Sequence, residues 1–152
     1  MSWPARTWVT AELVTATIMN AYVRDPMAQL QLKSIIFGVG DINGDVIPTG
    51  QAFSGFEIPF TGTILGWTMT GDNAGGSTVM DVWRSSYAAG PPTVANTIAG
   101  SEKPTLATSK KGQDLVLTTW NTSVNAGDLL IANVDSNSLN KQVTVTLRVA
   151  LA

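Results

Sequence analysis

The run "QVTVTLRVAL" alternates with a period of two, and that period constrains the fold more than anything else in the chain. Val143, Val145, Leu147, Val149 and Leu151 fall on one side, and Thr144, Thr146 and Arg148 on the other. Successive side chains of a β-strand point to opposite faces, so such a run is built to bury one face and wet the other. The same period governs the chain from Ile35 onward. "TILGWTM" is expected to place Leu65, Trp67 and Met69 on one face, and further strands are expected at 35–40, 53–60, 78–84, 114–119 and 128–135. Between them stand "DINGD", "TGQ", "GDNAGG", "AAGPP", "KKGQ", "NAGD" and "DSNSLNK", rich in the residues that chain reversals require. Seven or more short strands with regular turns predict an all-β antiparallel sandwich or jelly roll. "PTVANTIAG" reads as a single helical turn inside one long connection.

The front of the chain obeys a different period. Residues 1–14 read as an extended arm carrying Trp3 and Trp8, and Thr15 is placed to cap a helix. Ile18, Met19, Tyr22, Val23, Met27 and Leu30 then recur at near-helical spacing over a helix expected at 15–32. At about 100° per residue these six side chains cover about half the circumference. Asp25 followed by Pro26 suggests a kink or a second helix start. The chain therefore divides into an arm and helix over 1–33 and a sandwich domain over 34–152, together within the length of one ordinary domain. An apolar arc this wide packs either on its own sandwich or on other chains, and both arrangements bury the same residues.

Composition narrows the possible partners. Charged residues make up 13% of the chain, about half the usual share for a soluble domain, so much apolar surface is expected to be covered by other chains. In "TVMDVWR" both faces are half apolar, with Val79 and Trp83 flanking Asp81 and with Met80 and Val82 between them. A strand wet on one side should alternate cleanly, so this strand is expected either to be covered twice or to meet another subunit. The longest basic run is Lys110-Lys111, which offers no footprint for nucleic acid. No window reaches the roughly 18 apolar residues of a membrane span, and the N-terminus lacks the basic-then-apolar order of a secretory signal. Neither membrane insertion nor export by its own leader is expected.

The chain has no cysteine and no histidine, so disulfides, thiolate metal sites and imidazole catalysis are excluded. Carboxylates would have to carry any acid–base chemistry. Asp41 and Asp45 in "GDINGDVIPTG" are the nearest pair, at a spacing a glycosidase could use. With Asn43 they also present alternating oxygen donors to a Ca²⁺ ion, without the downstream Glu of an EF-hand loop. The stronger reading is a tight turn, for which Asp, Asn and Gly are the preferred residues. No nucleophile elbow, P-loop or dinucleotide loop is present, no cofactor is implied, and an enzyme is not expected. Trp83, Tyr87 and Trp120 are the candidates for stacking on sugar rings, with burial the favoured alternative for each.

"TWVTAELVTATIMNAYVRDPMAQL" resembles a leader at the start of many tailed-bacteriophage structural proteins. The places of that pattern are filled by Trp8, Ile18, Met19, Asn20, Val23, Arg24 and Asp25. "EIPFTGTILGWTMTGDNAGGSTVMDVWR", "PPTVANTIAGSEKPTL" and "WNTSVNAGDLLIANVDS" are similar to the jelly-roll domain that ends phage fibre and surface proteins. The resemblance covers nearly the whole chain. It implies a virion protein without enzymatic activity, a short head fibre, tail fibre knob or capsid decoration on the particle surface. Trp3, Trp8, Ile18, Met19, Tyr22, Val23, Met27 and Leu30 would anchor it or bring its copies together. Such fibres and knobs are commonly trimers, so the resemblance, the low charge, the two-faced strand and the wide helical arc together predict a homotrimer. Its other partners would be capsid or tail proteins. An alternative is an adhesin that binds host-surface glycans. Fibres of this type usually carry a long shaft after the leader, whereas here only a few residues separate Leu30 from the first strand, which favours a compact knob.

Overall fold

The computed structural model describes Thr7, Leu13 and residues 15–24, 31–52 and 55–152. Among the described residues ten strands follow the leader: β1 (Leu32–Gly40), β2 (Gly50–Gln51), β3 (Phe56–Glu57), β4 (Gly62–Gly71), β5 (Thr78–Ser86), β6 (Thr105–Leu106), β7 (Lys111–Asp114), β8 (Ser123–Val124), β9 (Asp128–Asn137) and β10 (Gln142–Leu151). The first sheet has the order β1-β10-β4-β7, with β8 also on β4. The second has the order β2-β9-β5-β6, with β3 also on β9. Every pairing is antiparallel. The chain crosses from one sheet to the other after β1, β3, β4, β6, β8 and β9, and this interleaving makes the sandwich a jelly roll.

The alternation of β10 sets the core. Val143, Val145, Leu147 and Val149 are buried, while Thr144 and Thr146 are partly exposed and Arg148 is exposed. Ile35, Phe37 and Val39 of β1 join them from one side and Ile64, Trp67 and Met69 of β4 from the other. Met80, Val82, Leu130, Ala132 and Val134 close the core from the second sheet. Each such aliphatic side chain contributes roughly 1.5–3 kcal/mol when removed from water.

Four sequence expectations change. Leu65 does not share the inner face with Trp67 and Met69; it is 43% exposed, and Ile64 is buried instead. The register explains why: Arg148 pairs with Gly66 and Val149 with Ile64, so Leu65 is an extra residue that resets the phase of β4. The strand expected at 114–119 lies at 111–114, taking in three residues of the "KKGQ" segment read as a turn, and Val116 is left exposed. The strand expected at 53–60 is reduced to β3, with β2 before it and with 53 and 54 outside the described residues. Finally, Leu32 opens β1, so the helix expected at 15–32 stops short of it and the sandwich begins before residue 34. "PTVANTIAG" does contain one turn of 3₁₀ helix, at Val94–Asn96.

Candidate interaction surfaces

The described part of the leader is a short helix, Ala16–Met19, continued by a π turn over Asn20–Arg24. Thr15 caps it by accepting a hydrogen bond from the Ile18 amide at 3.3 Å. No residue of Ala16–Met19 is buried, Met19 is 43% exposed, and Ile18, Tyr22 and Val23 are half-buried. Trp3, Trp8, Met27 and Leu30, like the Asp25-Pro26 start, lie outside the described residues.

The three aromatic candidates part company. Trp83 and Trp120 are each 8% exposed, and neither offers a ring face to a sugar. Each ring nitrogen has an internal acceptor, the Asp81 carboxylate for Trp83 at 3.0 Å and the Glu102 carbonyl for Trp120 at 2.9 Å. Both tryptophans are thus interior residues, the reading the sequence favoured over a glycan platform. Tyr87 stands alone among the three at 77% exposure. A stacking site built from all three does not form.

Trp83 belongs to an arrangement that also explains the two-faced strand. The inner face of β5 carries Met80 and Val82, and its outer face carries Asp81 and Trp83, all buried. The chain's own connection after β5 covers that outer face. Ile98 donates to the Val82 carbonyl, Met80 donates to the Pro104 carbonyl, and Trp83 bridges to Thr97. Asp81, only 1% exposed, accepts from the Val82 amide at 2.8 Å, Trp83 Nε1 at 3.0 Å and Thr97 Oγ1 at 2.6 Å. Lys103 Nζ completes its shell at 3.1 Å and also reaches Asp135 at 2.6 Å. Hydrogen bonding to Asp135, with Asp81 adding to it, raises the Lys103 pKa above its ordinary value, so the ammonium form is retained. Asp135 is the extra residue of a second bulge, since Val79 pairs with Ser136 and Met80 with Val134. The bulge turns its side chain toward the lysine, a common use of bulges. A buried carboxylate with this many donors is a structural clamp, and the two-faced strand gives no argument for a neighbouring subunit.

The turn after β1 also takes its structural reading. Asp41 Oδ1 accepts from the Asn43 amide at 2.9 Å and the Asp41 carbonyl from the Gly44 amide at 2.8 Å. That is an Asx turn, and among the described residues no cluster of three or more acidic side chains stands ready for a metal.

The sequence did not single out the outer face of the first sheet beyond Thr144, Thr146 and Arg148. Two adjoining depressions lie there, sharing Thr70. One is lined by Ile42, Asp72, Gln142 and Thr144, the other by Thr68, Lys111 and Gln113. The Asp72 carboxyl is held below its ordinary pKa chiefly by the Gln142 amide, with the Lys141 amide adding to it. The lining supplies hydroxyls, amides, one ammonium and one carboxylate, and no aromatic ring. The signal for it in sequence was the polar half of the alternation in β4 and β10.

No protein-family model and no curated protein matches the chain. Among solved structures, the chain is similar to one described as the structure of infectious bursal disease virus Gx strain, at 10% identity and a TM-score of 0.26. The match covers 80% of this chain and 37% of that one. Among the described residues no helix is long and apolar enough to cross a membrane.

Proposed function

We propose that this chain is a non-enzymatic structural protein of a tailed-phage particle, a short knob or decoration that its leader holds on the virion. The observation that carries the reading is the described leader. Its first turn, Ala16–Met19, buries no residue, and Met19 stays 43% exposed, an apolar side chain left in water at a cost. The resemblance of this leader to those of phage structural proteins names the class of surface that would cover it, and the jelly roll is the part displayed.

The test supplies the protein in trans during infection by a phage deleted for it and follows its co-purification with particles. Full-length protein is expected on the virions, and protein lacking residues 1–30, which retains all of β1, is expected to fold and stay off them. Normal incorporation of the truncated protein would refute anchoring by the leader.

A second reading, glycan binding by the displayed domain, draws on the depressions on the first sheet. Their convergent hydroxyl and amide groups suit the hydroxyls of a sugar, although no ring is present to stack on it. A glycan array probed with the full-length protein is expected to give signals that Gln113→Ala and Thr70→Val reduce. Signals unchanged by both would remove this site.

A further inference from the structure

The two sheets end in unequal edges. The edge strands β2, β3, β6, β7 and β8 are only two to four residues long, and β7 begins with a lysine. Short and charged edges are the usual protection against pairing with another chain. β1 lacks the protection of shortness and has only a single lysine. It is nine residues long, runs in unbroken register against β10 from Leu32 to Gly40, and contains neither proline nor bulge. Its one charge is Lys33.

The parity of this edge is fixed by a single hydrogen bond. Leu151 donates to the Gln31 carbonyl at 2.7 Å, which makes that pair a hydrogen-bonded one. Bonded and non-bonded pairs alternate along an antiparallel ladder, so the residues two, four, six and eight positions on turn their backbone groups toward β10. Leu32, Ser34, Ile36 and Gly38 then turn their N–H and C=O groups away from the sheet, and the strand ends at Gly40, whose φ is +85°. Their side chains lie on its outer face, where Leu32 is 50% and Ile36 62% exposed. Among the described residues no strand pairs with this edge.

We infer that the β1 edge is a self-association site, at which β1 of a second copy pairs antiparallel across a two-fold axis at Ile36. The strand suits itself in that register. On the outer face Ile36 faces Ile36, Ser34 faces Gly38 and Leu32 faces Gly40, so no two bulky side chains oppose one another there away from the axis. On the inner face Ile35 and Phe37, each buried in its own sandwich, face one another. No like charges meet either, since Lys33, the one charge of the strand, faces Val39 of the other copy. The contact would be isologous and closed, joining two four-strand paths into one continuous sheet. A two-fold pair of sandwiches is an alternative to the threefold arrangement expected from the leader, and it stands independently of any virion role.

The chain has no cysteine, which makes a direct test available. In the proposed register Ile36 and its symmetry mate form a hydrogen-bonded pair with Cα atoms about 5.5 Å apart, inside the range a disulfide spans. Full-length Ile36→Cys is expected to cross-link to a dimer under mild oxidation, while Val116→Cys, on an exposed residue remote from β1, is not. By light scattering at tens of micromolar, wild type is expected near 32 kDa, twice the chain mass of 16.0 kDa. Ile36→Pro removes only an outward N–H, and Ile36→Lys removes none. Both are expected to run near 16 kDa with an unchanged circular dichroism spectrum. A wild-type species of one or three chain masses, an Ile36→Cys protein that fails to cross-link, or a dimer that survives both Ile36 variants would overturn the inference.

Discussion

Removing the Asp81 carboxylate should be among the most damaging single changes in the sandwich. Asp81→Ala leaves the Val82 amide and the Trp83 ring nitrogen without the acceptors they now hold at 2.8 and 3.0 Å, in a place where Asp81 itself is 1% exposed. Each buried donor left without a partner costs about 1–3 kcal/mol. Thr97 is exposed, so its hydroxyl regains water, and Lys103 keeps Asp135. The two orphaned donors and the weakened ion pair together cost about 3–5 kcal/mol. That is about a fifth or more of the stability of an ordinary domain. Urea unfolding followed by tryptophan fluorescence measures it, with Asp135→Ala as the comparison. The Asp135 side chain is 29% exposed, and Lys103 retains Asp81 without it, so its loss should cost about 1 kcal/mol or less. A loss below about 1 kcal/mol for Asp81→Ala, or equal losses for the two variants, would show that Asp81 does not clamp the connection onto β5.

Three further outcomes are expected. Leu147→Ala, at a fully buried position, should lower stability by about 2–5 kcal/mol; Thr146→Ala on the outer face should lower it far less, and comparable urea midpoints would contradict the facing of β10. Ile64→Ala should destabilise strongly while Leu65→Ser stays within about 1 kcal/mol, the reverse of what the bare "TILGWTM" pattern implies; thermal melts of both variants decide it. Hydrogen bonds from the Thr118 hydroxyl and the Thr119 amide lead in holding the Glu102 carboxyl at a pKa of about 2, below its ordinary 4.5. A depressed carboxylate stabilises the fold above the higher value and loses that contribution as pH falls toward the lower one. Melting temperatures of wild type and Glu102→Gln should therefore differ at pH 6 and converge by pH 2, and a gap that does not change with pH would rule out this linkage.

The sequence by itself determined the class of fold, because the period of two is a local property that the pleat reads directly. Val143 to Val149 went inward and Thr144 and Thr146 outward as the alternation required, and Thr15 capped the leader helix by local chemistry. The phase of that alternation was not always local. Whether Leu65 counts toward the inner face depends on a bulge defined by its pairing with Arg148 and Val149, more than eighty residues away. Likewise, "TVMDVWR" looked like a strand in need of a second subunit because its cover is not adjacent in sequence. Thr97 and Lys103 arrive from the following connection, and Asp135 arrives from β9. Trp83 and Trp120 are the same types of residue whether they stack on a sugar or sit inside, and only their acceptors at Asp81 and Glu102 decided between the two. Nor can any run of letters mark an edge. "LKSIIFGVG" reads as one strand like the others, and only the sheet order shows that among the described residues no strand pairs with its outer edge, because pairing belongs to the assembly of strands rather than to any one of them.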